Sequence, residues 1–444
     1  MLKRVSQVAI SVTLGCMVAP QAWAVNLLQV YQQALKNNYS IRSDYNSYQS
    51  TAMAEKVNLG ALFPSFSVTG TASTNNIDNL NGSGNYQSVG YQLNVSQVLF
   101  DYGLYKTYKA SEKTTLQSLA SYRYSRQQLM LNVAQAYFNI LLAKDQLEFA
   151  DANVKALKSA LDQATVKFKV GVSTDTDVKQ AEASYYNGLA EQVAAQNNLD
   201  TSYYSLYQLT GKLEKDLAPL KTNIIYKEPT PNNINDWVKI AKVNNQNYLS
   251  QKYQQYAAYD TMQASYGAFL PSISLVAQYN NTFNSGDEDA YRSAAGLTNH
   301  PVTGYVGLSL TWNIFNGGSD YATKVQNARL YTAEEFNSLD VLRTLIQDTR
   351  SDYLNIQAFI SQIEALQQSV KASELAYQQF VEQYNVGTAT ITDVLDQLKT
   401  LFESKSNLAE VKYNYFNGLL QLKLDAGTLS VKDIQSINQQ LQNT

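Results

Sequence analysis

The chain has 444 residues, 45% hydrophobic and only 16% charged, with 33 Tyr, one Cys and one His. A formal net charge of −3 offers no basic face for nucleic acid, and a lone Cys16 and a lone His300 leave no His/Cys metal cluster and no histidine-based triad. The length allows two or three domains, yet so few charges with so much Gln, Asn, Ser and Tyr do not suit a compact enzyme, and no cofactor is expected.

The N-terminus reads as a signal peptide over residues 1–24. Lys3 and Arg4 precede an apolar stretch at 8–18, Pro20 breaks it, and Ala22-Trp23-Ala24 makes a small-residue cleavage site. Cys16 falls inside this segment, and Thr13-Leu14-Gly15 lacks the leucine that lipidation of a cysteine needs three residues upstream. Without Lys3 and Arg4, 32 basic residues face 37 acidic ones, a charge of −5 on a mature chain free of cysteine. Beyond residue 24 no run of about 18 apolar residues appears, which excludes an ordinary spanning helix but not a barrel, whose strands need only about 10 alternating residues.

A helical stretch is predicted at 26–62, stopped by Pro64. Then Phe66, Val68, Gly70 and Ala72 alternate with Ser65, Ser67, Thr69 and Thr71, and Tyr91, Leu93 and Val95 alternate with Gln92, Asn94 and Ser96, which reads as two strands joined by a polar loop at 74–88. No proline interrupts 102–169, where Val133, Tyr137, Ile140, Leu147, Val154, Leu161 and Phe168 form an irregular apolar stripe. Gly171 ends that helix, and another is predicted over 174–210.

The pattern then repeats. A helical stretch at 233–270 precedes two strands, Ile273, Leu275, Ala277 and Tyr279 on one, Val306, Leu308, Leu310 and Trp312 on the other, with a loop at 280–301 that carries Asp287-Glu288-Asp289. Phe63, Phe100, Phe269, Trp312 and Phe315 flank the strands as interfacial aromatics of a barrel would. A long helix at 319–385 carries Leu339, Leu342, Ile346, Tyr353, Ile356, Ile360 and Ile363 at alternating steps of three and four, skipping only Thr349, a coiled-coil seam. A last helix spans 390–424. Ala-Tyr-Phe-Asn-Ile at 136–140 returns as Asp-Tyr-Leu-Asn-Ile at 352–356, and the turn from Val170 to Val178 returns from Val386 to Val394, both at an offset of 216. So long a period marks duplication of a half-protein. The expected organisation is a first repeat at 25–211, a connecting segment at 212–235, a second repeat at 236–427 and a tail at 428–444.

Each long helix, at 1.5 Å per residue, reaches roughly 100 Å, and the shorter stretches stacked in pairs match it. Four such rods and four strands leave sheet edges and helical faces uncovered in a single chain, so self-association is required. Two copies would give 8 strands and a filled barrel, while three would give 12 strands around an aqueous lumen.

Asn26-Leu27-Leu28-Gln29-Val30-Tyr31-Gln32-Gln33-Ala34, the two Val-Gly-x-x-x-x-x-Asp-Val turns, Val394-Leu395-Asp396 and Lys412-Tyr413-Asn414-Tyr415 resemble the TolC family of outer-membrane efflux channels over nearly the whole mature chain. The resemblance implies an α+β membrane protein: a homotrimer in outer-membrane lipid, with a 12-stranded β-barrel continuing into a long periplasmic α-helical coiled-coil tunnel. It further implies a periplasmic adaptor protein and an inner-membrane pump as partners, and a belt around the tunnel built by the connecting segment and the tail.

For a conduit, the relevant chemistry is charge at the narrowest ring. Asp393 and Asp396 lie three apart on one helix face, and under threefold symmetry would ring the axis with carboxylates that favour cations. The family places the matching positions at its periplasmic constriction. Asp393 also fits a capping box with Thr390, as Asp177 does with Thr174, so either could serve its own helix start. The resemblance puts Tyr384, Thr176 and Asp177 in the network that holds the tunnel end closed, and makes the tips Val170, Gly171, Val386 and Gly387 adaptor contacts. Ala389 stands where the family's best-known sequence has a tying arginine, a role left to a weaker closure or to Lys179. The competing reading is a structural coiled-coil protein of the envelope, which has no use for four barrel-length strands.

Overall fold

The computed structural model describes residues 24–79, 82–286 and 300–442, so the expected signal peptide, apart from Ala24, and the acidic loop tip lie outside the described residues. In chain order the elements are α1 (Leu27–Asn37), α2 (Tyr39–Gly60), β1 (Ser65–Asn79), β2 (Gly82–Phe100), α3 (Tyr102–Lys169), α4 (Asp175–Thr210), α5 (Ile234–Asn244), α6 (Gln246–Ser265), a 3₁₀ turn (Tyr266–Phe269), β3 (Ser272–Gly286), β4 (Val302–Thr311), α7 (Ser319–Asn385), α8 (Ile391–Asp425) and α9 (Val431–Asn438). The first long helix ends before Gly171, and the second starts after Gly318 and ends before Gly387, as those glycines predict.

The strands run antiparallel in the order β1-β2-β3-β4. The alternation seen in each strand aligns across all four: Phe66 pairs with Val95, Val95 with Ala277 and Ala277 with Val306, while Val68, Leu93 and Tyr279 form the next row. One continuous apolar face results, and Phe66, Val68, Val306 and Leu308 on it are exposed. In water such a face would be a liability; against lipid it is the expected exterior of a barrel. The strands are longer than the alternation suggested, because β1, β2 and β3 extend through much of the polar segments read as loops. There the backbone ladder continues without an apolar face, which period-2 hydrophobicity cannot report. β1 and β4 are edges with free hydrogen-bonding groups, and lipid offers these no partner, so the sheet must close on other copies.

Phe63, Phe100, Phe269, Trp312 and Phe315 gather at the helix-side end of the sheet, exposed, with the Trp312 indole N–H donating to the Phe269 carbonyl at 3.2 Å. Among the described residues no helix is long and apolar enough to cross a membrane.

The stretch read as one helix over 26–62 is broken. The chain leaves helical geometry at Asn38, whose side chain accepts from the Ile41 N–H at 3.1 Å and restarts the helix. Asn245 repeats this break between α5 and α6, accepting from the Tyr248 N–H at 2.8 Å. Each break receives the end of another helix: Asn37 Nδ2 donates to the Thr210 carbonyl (2.8 Å) at the end of α4, and Asn245 Nδ2 to the Asp425 carbonyl (2.9 Å) at the end of α8. These bonds satisfy carbonyls that a helix C-terminus leaves orphaned, and they join α4 to α2 and α8 to α6 as the composite rods. The 11 residues of α1 add nothing to rod length; they pack on α3, α4 and α9.

The main core sits at this mid-length level. Tyr137 and Phe138 are fully buried among Leu27, Leu131, Ile140, Leu206, Phe416 and Ile434. The Tyr137 hydroxyl donates to the Ala218 carbonyl at 2.7 Å, tying the connecting segment to α3. The tail also packs here, through buried Ile434, Ile437 and Leu441, and Leu441 bridges to Leu220. On α7 the buried stripe runs Leu345, Thr349, Tyr353, Ile356 and Ile363, so Thr349 belongs to the seam it was expected to interrupt. Its hydroxyl is satisfied by the Leu345 carbonyl at 2.7 Å, and Leu339 is exposed instead.

Candidate functional site

The end of the molecule away from the sheet is formed by the α3–α4 and α7–α8 hairpin turns. Both turns have the same backbone. The Gly171 N–H donates to the Phe168 carbonyl and the Val172 N–H to the Lys167 carbonyl, both at 2.9 Å; Gly387 N–H to Tyr384 (3.3 Å) and Thr388 N–H to Gln383 (2.9 Å) repeat them. These are Schellman motifs, and they put Gly171 and Gly387 at φ of +77° and +80°. Both positions have open space for a methyl group, so only the backbone conformation resists alanine. Gly171→Ala and Gly387→Ala are each expected to cost about 1 kcal/mol, read as a small drop in thermal midpoint, with glycine-like stability regained in Asn variants. Val170, Val172 and Val386 project from the turns and are exposed.

The next residues start α4 and α8. Asp177 accepts from the Thr174 N–H (2.9 Å) and from the Ser173 hydroxyl (2.8 Å), while Asp393 accepts from the Thr390 N–H (2.8 Å) and hydroxyl (2.6 Å). Both are complete capping boxes. The Thr390 hydroxyl, then its N–H, holds the Asp393 carboxyl below the usual range; the Thr174 N–H, then the Ser173 hydroxyl, does the same for Asp177. The capping role weighed for both residues is therefore present. Asp396 differs. It is exposed one turn further along α8, and among the described residues its carboxylate has no hydrogen bond or ion pair. Thr176 is likewise exposed at the start of α4.

Tyr384 is 7% exposed and closes a small apolar cluster with Leu157, Ala164, Ala181, Ile391, Val394 and Leu398, distinct from the main core. Burial, then the nearby Asp177 charge, pushes the Tyr384 phenol up, and among the described residues its hydroxyl has no hydrogen-bond partner. Two polar contacts join the hairpins at this end. The Thr392 hydroxyl donates to Gln180 Oε1 at 3.1 Å, and Lys167 Nζ donates to the Tyr384 carbonyl at 2.5 Å while lying 3.4 Å from the centre of its ring. Lys167 was missed in the sequence: its counterpart at the 216 offset is Gln383, so the repeat gave no signal for it. Lys179 pairs with Glu182 on its own helix at 2.9 Å, and among the described residues it has no ion pair with another element.

An apolar-faced sheet of four strands, carried on rods about 100 Å long that end in tight hairpin turns, defines the protomer of an outer-membrane channel. The family model for outer membrane efflux proteins matches residues 30–212 and 237–428. The chain is 30% identical over 437 residues to outer membrane protein TolC of Vibrio cholerae, covering 98% of each chain, and 32% identical over 426 residues to that of Escherichia coli, covering 94% of this chain and 85% of the relative. Among solved structures, the Campylobacter jejuni CmeC outer membrane channel superposes with a TM-score of 0.81 at 19% identity, over 100% of this chain and 98% of that one. The chain belongs to the outer membrane efflux protein family. It is an outer-membrane export duct of the kind that serves efflux and type I secretion, with the fold of the trimeric channels in which four strands per chain make a 12-stranded barrel above a periplasmic helical tunnel.

Proposed function

We propose that the duct is closed at its periplasmic end by a ring of Asp393 and Asp396, two carboxylates per chain and six in the trimer, and that it opens when α7 and α8 move and the ring widens. The observation that carries this reading is the exposed carboxylate of Asp396, without a partner among the described residues, beside the capped Asp393. An ionised ring attracts cations and repels anions, and it needs no bond chemistry, so the protein acts as a passive conduit and not as an enzyme. Gln180 occupies the position of Asp396 in the first repeat, so only the second repeat supplies a paired ring. Tyr384, Thr176 and Asp177 belong to the surroundings that hold the ring in place. Val170, Gly171, Val386 and Gly387 are the contacts for a periplasmic adaptor, a role supported by the exposure of their valines at the two turns. The adaptor connects the duct to an inner-membrane pump, which selects the cargo.

Single-channel recording in planar bilayers tests the gate. The wild type is expected to show a small, cation-selective conductance, and the Asp393→Ala, Asp396→Ala double variant to lose most of that selectivity, a change of about tenfold in permeability ratio. Equal selectivity in both proteins would move the constriction elsewhere in the tunnel.

A further inference from the structure

Lys167 lies in the last turn of α3 and Tyr384 in the last turn of α7, so their contact joins the extreme ends of two different hairpins. The ammonium meets two acceptors at once, the Tyr384 carbonyl at 2.5 Å and the face of its ring at 3.4 Å from the centroid, and among the described residues it has no carboxylate partner. The positive charge strengthens both contacts: a ring face attracts a cation through its quadrupole, and a carbonyl accepts most strongly from a charged donor. That same carbonyl accepts from the Gly387 N–H, so the lysine grips the turn itself. The turn is tight, with Thr388 and Ala389 N–H groups both donating to the Gln383 carbonyl, and only the short segment 386–390 separates it from the helix start that carries Asp393. A force that holds Tyr384 therefore also positions the first turn of α8. Among the described residues the buried tyrosine hydroxyl has no hydrogen-bond partner, so the contacts to the lysine are made by its carbonyl and ring.

We propose that Lys167 is a positioning residue that latches the α7–α8 turn to the end of α3 and so biases the duct toward its closed state, an inference that rests on the aspartate-ring reading of the gate. The cation comes from the first repeat and the ring from the second, so one lysine per chain joins the two halves of the duplication at the end where they must part for opening.

Planar-bilayer recordings of Lys167→Met, Lys167→Arg, Tyr384→Leu and the Lys167→Met, Tyr384→Leu double variant test the latch. Lys167→Met is expected to raise single-channel conductance by about twofold or more with wild-type trimer content and thermal midpoint, and Lys167→Arg to stay near wild type because the charge is kept. Tyr384→Leu should also raise conductance, and the double variant should exceed neither single variant by much, since both remove one interaction. Wild-type conductance in Lys167→Met, or an increase shared equally by Lys167→Arg, would overturn the latch. If Lys167→Met is inert while Asp393→Ala, Asp396→Ala loses selectivity, the latch fails and the ring stands. If Lys167→Met conducts more while the aspartate variant keeps its selectivity, the ring fails and the hold on the turn stands. Should Lys167→Met not assemble, Lys167→Gln replaces it under the same criteria.

Discussion

Gly427→Ala is expected to destabilise the protein by about 3 kcal/mol or more, while Gly211→Ala, at the matching position of the first repeat, costs about 1 kcal/mol. Both glycines have φ of +67° and both close a helix, α8 and α4 respectively, so the left-handed backbone penalises alanine equally at the two sites. The surroundings differ. A Cβ at Gly427 would lie 2.2 Å from the Asn244 carbonyl oxygen and 2.6 Å from the Asn245 nitrogen, whereas one at Gly211 would meet nothing closer than the Asn37 Cβ at 3.6 Å. The obstruction at 427 is backbone at the break between α5 and α6, which cannot rotate away, so relief requires α8 to withdraw from the break and to loosen the Asn245 bond to the Asp425 carbonyl. Thermal unfolding of the two single variants under identical conditions measures the difference; equal midpoints would show that the junction yields without cost.

The second large effect is a dependence on pH. Asp352 of α7 and Asp425 of α8 lie within hydrogen-bond reach of each other, and among the described residues an Oδ2 of each is buried with no donor, which a proton shared between them would supply. Burial first, then the bond to Asp425 and the charges of Asp425 and Asp348, raises the Asp352 carboxyl to about 8. The other groups facing the pair are Tyr124 of α3, whose phenol burial and these charges push up, and Gln421, which donates to Asp425 at 3.3 Å. A folded-state value above the unfolded one means that the folded protein binds the extra proton. The contribution is thus complete at low pH and lost as pH rises through about 8. With the shift discounted for partial exposure, the loss between pH 6 and 9 is on the order of 2 kcal/mol. Asp352→Asn puts a permanent amide donor in place of the proton, so its thermal midpoint should be nearly flat over that range and above wild type at pH 9. A wild-type slope retained in Asp352→Asn would place the titrating group elsewhere.

The family and its membrane role were legible because their signals are local. Proline-free runs ended by Gly171 and Gly387 marked α3 and α7, and alternation marked all four strands, since one face of each had to be apolar whatever its neighbours. The strand ends beyond the alternation were not legible, because a ladder of backbone bonds between polar residues leaves no trace in hydrophobicity. The breaks at Asn38 and Asn245 did leave one, the paired asparagines Asn37-Asn38 and Asn244-Asn245, but an N-cap inside an otherwise continuous helical pattern acquires meaning only when another helix end arrives to use it.

At the periplasmic end the capping roles of Asp177 and Asp393 followed from three-residue spacing, and the turns from Gly171 and Gly387, all within one stretch of chain. Lys167 against Tyr384 spans 217 residues, and Asp352 against Asp425 joins two helices across a buried contact. By itself the sequence determined the two long helices, the four strands and the apolar face that commits the sheet to lipid, because each depends on periodicity along the chain. Only the tertiary structure decided which of two equivalent glycines has room for a methyl group, which aspartate is without a partner among the described residues beside a capped one, and which lysine contacts the α7–α8 turn. Those depend on what the packing of distant helices places within a few ångströms, and residue order carries no measure of that distance.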